Sequence, residues 1–257
     1  MDFVNEKECV VVTLRRSGNH AIMSWIIKQI TDINGNDFFA RGNTKIGQDP
    51  MSLHSLIPEP YPKINKKLLI YNYEDENIKK IFCDKFIKKR EEWVGKSKEK
   101  YHLLILRDPF NHFASRMKCK ITIRARLSKM LRKKPKKYTR LWIDYAKEFL
   151  GETNFLPYKK ICINYNKWFD DLEYRKRLCI GMNIRFTDAG INSVPQSGDG
   201  SSFDGVSYDG RGSEMKVLDR YHYLRDNDFY KKLFTDELLE YAFQIWDEKD
   251  FDLSWLG

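Results

Sequence analysis

Apolar residues recur along the chain in two rhythms. Short unbroken runs rich in Val, Ile and Leu read as strands buried on both faces: Cys9-Val10-Val11-Val12-Thr13-Leu14, Leu68-Leu69-Ile70-Tyr71-Asn72, Tyr101-His102-Leu103-Leu104-Ile105-Leu106 and Lys160-Ile161-Cys162-Ile163-Asn164. Between them apolar positions fall three or four apart, as Ile22, Trp25, Ile26 and Ile30 do, which is the stripe of a helix packed on a core. The pattern predicts a strand over 9–14, a helix over 19–31, an irregular Gly- and Pro-containing segment to about 67, and a strand over 68–72. It continues with an amphipathic helix over 76–90, a strand ending at 107 and a helix from 110. Beyond a basic interval come a helix over 138–150, a strand over 160–164, helices over 169–181 and 236–246, and between these two a helix-like run over 214–224. Strands alternating with helices imply βαβ units, so the expected fold class is α/β: a central parallel sheet flanked by helices. No internal repeat is visible, and 257 residues fit a single domain spanning 1–257.

Ligands of such sheets bind at the carboxyl ends of the strands, and two of those ends carry chemistry. The first strand runs into Arg15-Arg16-Ser17-Gly18-Asn19-His20-Ala21 and opens directly into a helix. The unpaired N–H groups and positive dipole end of a helix N-terminus, beside two arginines, make an anion cradle. The third strand ends in Arg107-Asp108-Pro109, with Ser115 eight residues beyond Arg107. A strand-end guanidinium makes charge-assisted bonds to phosphate, a serine on the next helix adds a neutral donor, and Pro109 suits the first helical turn. The first loop lacks the G-x-x-x-x-G-K-[ST] pattern whose hydroxyl holds Mg²⁺ on phosphates, which argues against a metal-dependent kinase or NTPase.

Arg16-Ser17-Gly18-Asn19-His20 resembles the 5′-phosphosulfate loop of the PAPS-dependent sulfotransferases, Lys-x-Gly-Thr-Thr followed by an aromatic residue. Arg107 and Ser115 resemble the arginine and serine with which that family grips the donor's 3′-phosphate. In Gln196-Ser197-Gly198-Asp199-Gly200-Ser201-Ser202-Phe203-Asp204-Gly205, continued by Asp209-Gly210-Arg211-Gly212-Ser213, the pair Arg211-Gly212 resembles the late Arg/Lys-Gly loop that folds over the nucleotide. The family's Gly-Asp-Trp-Lys ending is absent, and the contact from this region is Arg211, the Ser201-Ser202 pair or neither. The resemblance spans 9 to about 224 and implies a P-loop NTPase-like sulfotransferase architecture. It implies in-line transfer of a sulfuryl group from 3′-phosphoadenosine-5′-phosphosulfate (PAPS) to a hydroxyl or amine acceptor, leaving 3′-phosphoadenosine-5′-phosphate (PAP), without a metal. The implied nucleotide-contacting residues are Arg15, Arg16, Ser17, Gly18, Asn19, His20, Ala21, Arg107, Ser115, Arg211 and Gly212.

The implied catalytic residues are Arg16, His20 and Glu74. Arg16 takes the place of the family's loop lysine; a guanidinium holds its protons too strongly to donate one, so it acts as a fixed clamp on the leaving 5′-phosphate. His20 is within reach of the transferred sulfate. Related enzymes take the acceptor's proton with a His or Glu near the end of the strand after the first helix, and Glu74 stands at about that position. Glu74 or Asp75 equally suits the cap of the following helix. His54, in the irregular segment, is the reserve candidate, and the base remains open among Glu74, His54 and His20.

A net charge of +10 and a sequence pI near 9.2 favour anionic partners, which a nucleotide donor and nucleic acid both satisfy. The basic run from Arg124 to Lys137 has no interleaved aromatic residue before Tyr138, so it reads as a solvated face and nucleic acid as the lesser partner. The five histidines and five cysteines show no metal-ligand spacing, and the cysteines, odd in number and scattered, read as free and mostly buried thiols. Ser17 lacks the G-x-S-x-G elbow of a hydrolase. No apolar run approaches a membrane span, the first residues lack a signal-peptide layout and there is no N-x-[ST] site, so the chain is expected to be cytoplasmic, without membrane partners. The expected second substrate is a hydroxyl-bearing acceptor, such as a sugar or another small molecule. Two other classes stay in view: a P-loop phosphotransferase acting on a nucleotide or sugar, and a basic non-catalytic nucleic-acid-binding protein.

Overall fold

A computed structural model describes residues 3–30, 38–44, 66–118, 131, 133–195 and 200–256. Five strands, β1 (Phe3–Thr13), β2 (Phe38–Thr44), β3 (Leu68–Glu74), β4 (Lys96–Leu106) and β5 (Lys159–Asn164), form one sheet in the order β2-β3-β1-β4-β5. Every pairing is parallel; Cys9, for instance, lies opposite Ile70 on one side and Tyr101 on the other. Helices cover both faces, as the alternating pattern requires: α1 (Asn19–Gln29) follows β1, α4 (Pro109–Met117) follows β4, and α5 (Pro135–Leu150) precedes β5. Two short helices, α2 (Ile78–Ile81) and α3 (Asp84–Val94), follow β3. After β5 come α6 (Tyr165–Asp170), α7 (Leu172–Gly181), the single turn α8 (Asp228–Lys231) and α9 (Asp236–Ile245).

The two-residue period of the strands divides the core. Val10, Val12, Leu69, Tyr71, Leu104 and Leu106 point to the face covered by α4, α5 and α9, whereas Cys9, Val11, Ile70, Leu103 and Ile105 meet Ile22, Trp25 and Ile26 of α1 with Trp168 and Leu178. All are buried, so β3 and the apolar stretches of β1 and β4 have no solvated face.

The departures from the expected elements have local causes. β1 and β4 begin well before their apolar runs because their polar residues are paired: Asn5 donates to the Val94 carbonyl at 2.7 Å, and the buried Glu8 accepts from Tyr71 (2.5 Å) and Ser97 (2.9 Å) beside Arg90 (3.5 Å). β2 lies within the segment expected to be irregular; Arg41-Gly42-Asn43 gives it no apolar alternation, yet it completes the sheet at the edge of β3. The single helix expected over 76–90 breaks at Phe82 and Cys83, where Phe82 turns inward with its ring centre 4.0 Å from that of His102. Asn77, and neither Glu74 nor Asp75, caps α2, accepting from Lys79 N at 3.0 Å. Asp171 likewise interrupts the helix expected over 169–181 by capping α7. The run over 214–224 is not one helix but two 3₁₀ turns, Gly212–Glu214 and Arg220–Tyr223. Cys9 and Cys179 are buried thiols, whereas Cys83 is exposed; Cys119 lies outside the described residues.

Candidate functional site

The turn between β1 and α1 is held in an unusual shape. Arg16 (φ 75°) and Gly18 (φ 79°) both adopt left-handed backbone, and a Cβ on Gly18 would lie 1.9 Å from the Tyr165 ring. Position 18 is therefore restricted to glycine twice over. The turn is clamped from behind by α4 and by the residue after β3. Arg116 donates to the Arg15 carbonyl at 3.1 Å, the Nε2 of His112 lies 3.0 Å from the same oxygen, and Arg15 N donates to the Asp75 carboxylate at 3.0 Å. Burial, then the neighbouring Arg116 charge, drives the His112 pKa well down, so the ring is neutral and its Nε2 carries the hydrogen donated to Arg15. Asp75, itself at φ 58°, forms a two-point pair with Arg116 at 2.9 and 2.5 Å. Burial alone would push its carboxyl up, but Arg116 and the Arg15 N–H outweigh it and hold the pKa at about 2.

Gly18 is the N-cap of α1; no side chain caps it by a hydrogen bond, and the helix's own first turn carries no acidic residue. The first turn (Asn19, His20 and Ala21) lines a cavity of about 440 Å³ together with Arg15, Arg16 and Glu74. Arg107 and Ser115 line the same cavity. Two strand ends some 90 residues apart in sequence thus converge, and Arg107 Nη1 donates to the Arg16 carbonyl at 3.3 Å.

The Arg107 corner is buried. Its guanidinium also donates to Ser115 Oγ at 3.1 Å and to the Val217 carbonyl, and lies 4.9 Å from the Tyr165 ring centre. The Ser115 hydroxyl receives a second guanidinium, Arg220, at 3.4 Å. Arg220 reaches Ser201 Oγ at 2.7 Å and the Asp204 carboxylate at 3.1 Å. Burial first and then the like charge of Arg107 push Arg220 down to about 10. The Nε atoms of Arg107 and Arg220 are both buried without a hydrogen-bond partner. Arg16 donates from Nε to Ser202 Oγ at 2.6 Å, next to the Ser201 that Arg220 holds.

Aromatic residues of α6, Tyr165, Trp168 and Phe169, form an apolar wall with Ile191, Val194 and Val217. Arg175 braces it, donating to the Trp168 and Phe169 carbonyls at 2.9 and 3.2 Å while pairing with Asp188 at 2.8 Å; Asp188 also accepts from Trp25 Nε1 at 3.0 Å.

Glu74 and His20 line the same cavity. Glu74 Oε1 accepts from Asn19 (2.7 Å) and Asn72 (3.2 Å), Oε2 faces Arg15 Nε at 3.3 Å, and His20 Nε2 stands 3.9 Å from Oε1. The His20 side chain is 26% exposed and that of Glu74 7%. A Cβ on Gly42 of β2 would come within 3.0 Å of His20 Nε2, so that glycine leaves the imidazole its room.

Of the residues singled out from sequence, Arg15, Arg16, Gly18, Asn19, His20, Ala21, Glu74, Arg107, Ser115 and Gly212 line the cavity. Two do not. Ser17 is fully buried, and Arg211 is 62% exposed and paired with Glu214 at 3.3 Å, outside the lining. Of the alternatives left open for this region, the Ser201-Ser202 pair and not Arg211 lines the cavity, together with Arg220. His54 and residues 196–199 lie outside the described residues. Sequence reasoning missed Arg220 and the Tyr165–Trp168 wall: Arg220 sits in a run that reads as an ordinary helix, and its partners Ser115 and Ser201 are 105 and 19 residues away. Among the described residues no three of His, Cys, Asp and Glu gather as a metal ion would require, and no helix is long and apolar enough to cross a membrane.

In fold, the chain is similar to the crystal structure of mouse sulfotransferase SULT7A1 complexed with PAP, with a TM-score of 0.47 and 16% sequence identity over 92% of this chain and 89% of that one. No protein-family model and no curated protein sequence matches the chain.

Proposed function

We propose that the chain is a sulfotransferase that uses PAPS as donor and a hydroxyl-bearing small molecule as acceptor. One observation carries the reading: two groups suited to anions, the start of α1 with Arg16 and the buried Arg107–Ser115–Arg220 corner, open on one cavity that Tyr165, Trp168 and Phe169 also line. That combination suits a purine nucleoside bearing phosphate at two ribose positions, its base against Tyr165 and Trp168. The buried, unpartnered Nε atoms of Arg107 and Arg220 fit a further acceptor-rich group in the corner.

Bound there, the donor supplies a sulfuryl group on a phosphate leaving group. The chain supplies position and charge. Arg16 and the first-turn N–H groups of α1 neutralise the leaving 5′-phosphate, with Arg16 as a clamp that keeps its protons. Both carboxylate oxygens of Glu74 are already occupied by Asn19, Asn72 and Arg15, so Glu74 serves as a fixed anion. The more accessible His20 receives the acceptor's proton, and Glu74 stabilises the resulting imidazolium.

The test is calorimetric and chemical. PAP is expected to bind equally with and without Mg²⁺, and labelled PAPS to pass its sulfuryl group to a member of an acceptor panel. Glu74→Gln and His20→Gln should keep PAP affinity while losing turnover. Absence of heat with PAP overturns the reading; Mg²⁺-dependent ATP binding would favour a phosphotransferase. Steeply salt-dependent nucleic-acid binding that survives Arg16→Ala and Ser115→Ala would favour the nucleic-acid-binding class.

A further inference from the structure

We propose that Asp204 is a built-in competitor for the Arg107–Ser115–Arg220 corner and so sets how much affinity the site gains from a second phosphate on its ligand. The inference rests on reading that corner as a phosphate site.

Asp204 belongs to a tight turn closed on itself: Ser201 N donates to the Gly205 carbonyl at 2.8 Å and Gly205 N to the Ser201 carbonyl at 3.1 Å. Inside the turn the Ser201 hydroxyl accepts from Phe203 N (3.2 Å) and Asp204 N (3.1 Å) and donates to the Asp204 carboxylate (2.8 Å). The turn therefore presents one carboxylate and one hydroxyl as a preformed unit. Arg220 takes both, at 3.1 and 2.7 Å, from a single nitrogen.

Its other terminal nitrogen reaches Ser115 Oγ at 3.4 Å, the hydroxyl that also receives Arg107. A carboxylate of this chain thus stands at the guanidinium that a phosphate in the corner would use. A phosphate carries more charge and one more oxygen than a carboxylate, and two anions cannot share one guanidinium without mutual repulsion.

The exposures decide which partner yields. Arg220 is 6% exposed and fixed between Ser115 and the Phe203 ring, 4.9 Å away, whereas Asp204 is 30% exposed on the solvent side. An incoming phosphate turns the carboxylate out to water, where it is readily solvated, and takes over its bond to Arg220. A ligand without that phosphate leaves Asp204 in place. Burial and then the like charge of Arg107 lower the Arg220 pKa, and the opposing pull of Asp204 does not cancel them.

Asp204→Asn keeps an oxygen for the Ser201 hydroxyl and hence the turn, but removes the charge. It is expected to tighten PAP binding on the order of tenfold while leaving affinity for AMP, which lacks the 3′-phosphate, within about twofold. Asp204→Ala should act in the same direction on PAP, with a thermal melt showing both variants folded. PAP affinity that is unchanged or weaker in both variants overturns the inference and makes Asp204 a support for Arg220. Equal tightening of PAP and AMP also overturns it, because the effect would then be general charge. A wild-type chain that binds PAP no tighter than AMP overturns instead the phosphate reading of the corner, so the two failures are distinguishable.

Discussion

At the end of β1 the chain turns through two left-handed residues, Arg16 and Gly18, and α1 starts with no side-chain hydrogen bond capping its N-terminus. At the end of β4 it turns through Arg107 and Asp108 instead, and Asp108 caps α4 by accepting from Asn111 N at 2.7 Å, with Pro109 in the first turn. The first helix end leaves its donors facing the cavity; the second is already occupied by an anion from its own chain. A capped helix cannot offer its N–H groups to a ligand, so the second junction contributes only side chains, Arg107 and Ser115. On the proposed reading, one cavity takes a backbone cradle from the first junction and a guanidinium corner from the second. The cradle should be sensitive to shape, and the corner to charge and donor count.

Gly18→Val is the most severe test of the cradle. The branched side chain meets a left-handed backbone and a Tyr165 ring that would lie 1.9 Å from its Cβ. The expected loss is about 3 kcal/mol of stability by urea melt, together with loss of measurable PAP binding. A stable variant that binds PAP normally would show that the turn is not the cradle.

Asp75 joins the two junctions, bonding Arg15 N of the first and Arg116 of the helix after the second. Asp75→Asn leaves Arg116 buried without its charge partner and should cost about 3 kcal/mol at pH 7. The native carboxyl titrates at about 2 against an ordinary 3.8. Between those values the unfolded chain binds the proton first, so this contribution is complete above about pH 4 and is lost as pH falls toward 2. Urea melts of both proteins at pH 7 and pH 3 check the sign: the variant's disadvantage should shrink on acidification. A disadvantage that is constant or growing would place the stabilisation elsewhere.

Much of this architecture was legible in the sequence, and what was hidden has physical reasons. The apolar runs at 9–14, 68–72 and 101–106 marked the central strands because burial on both faces keeps them mostly apolar, Thr13, Asn72 and His102 being buried with them. Edge strand β2 carries Arg41-Gly42-Asn43 and gives no such signal. The Arg16 and Arg107 junctions were readable because local rules for helix starts fix them. Arg220 was not, since its place depends on a chain path over Val217 that no neighbouring residue encodes, and Arg211, which has glycine on both sides and stood closer to a known pattern, points to solvent.

Arg107→Lys sharpens the charge side of the comparison. An ammonium keeps the charge but cannot reach Arg16 O, Ser115 and Val217 together as the planar guanidinium does. PAP affinity should fall about thirtyfold, and AMP affinity by no more than a few-fold, in parallel calorimetric titrations. Equal losses for both ligands would assign Arg107 to the cradle instead of the corner.

Ser115→Ala is the gentlest change and isolates donor count from charge. The hydroxyl receives both guanidiniums and is fully buried, so its loss opens space for little more than one oxygen and moves no charge. A single neutral hydrogen bond is worth about 1 kcal/mol, which corresponds to a loss of about fivefold in PAP affinity with AMP binding unaltered. Because Arg107 and Arg220 lose the oxygen between them, their repulsion grows, and a bound phosphate relieves more of it than before. That gain opposes the lost bond, so the measured effect should stay below that of Arg107→Lys at every ionic strength. If Ser115→Ala instead exceeded Arg107→Lys, the corner would be recognising its ligand through the hydroxyl, and the division into a shape-built cradle and a charge-built corner would fail at its second half.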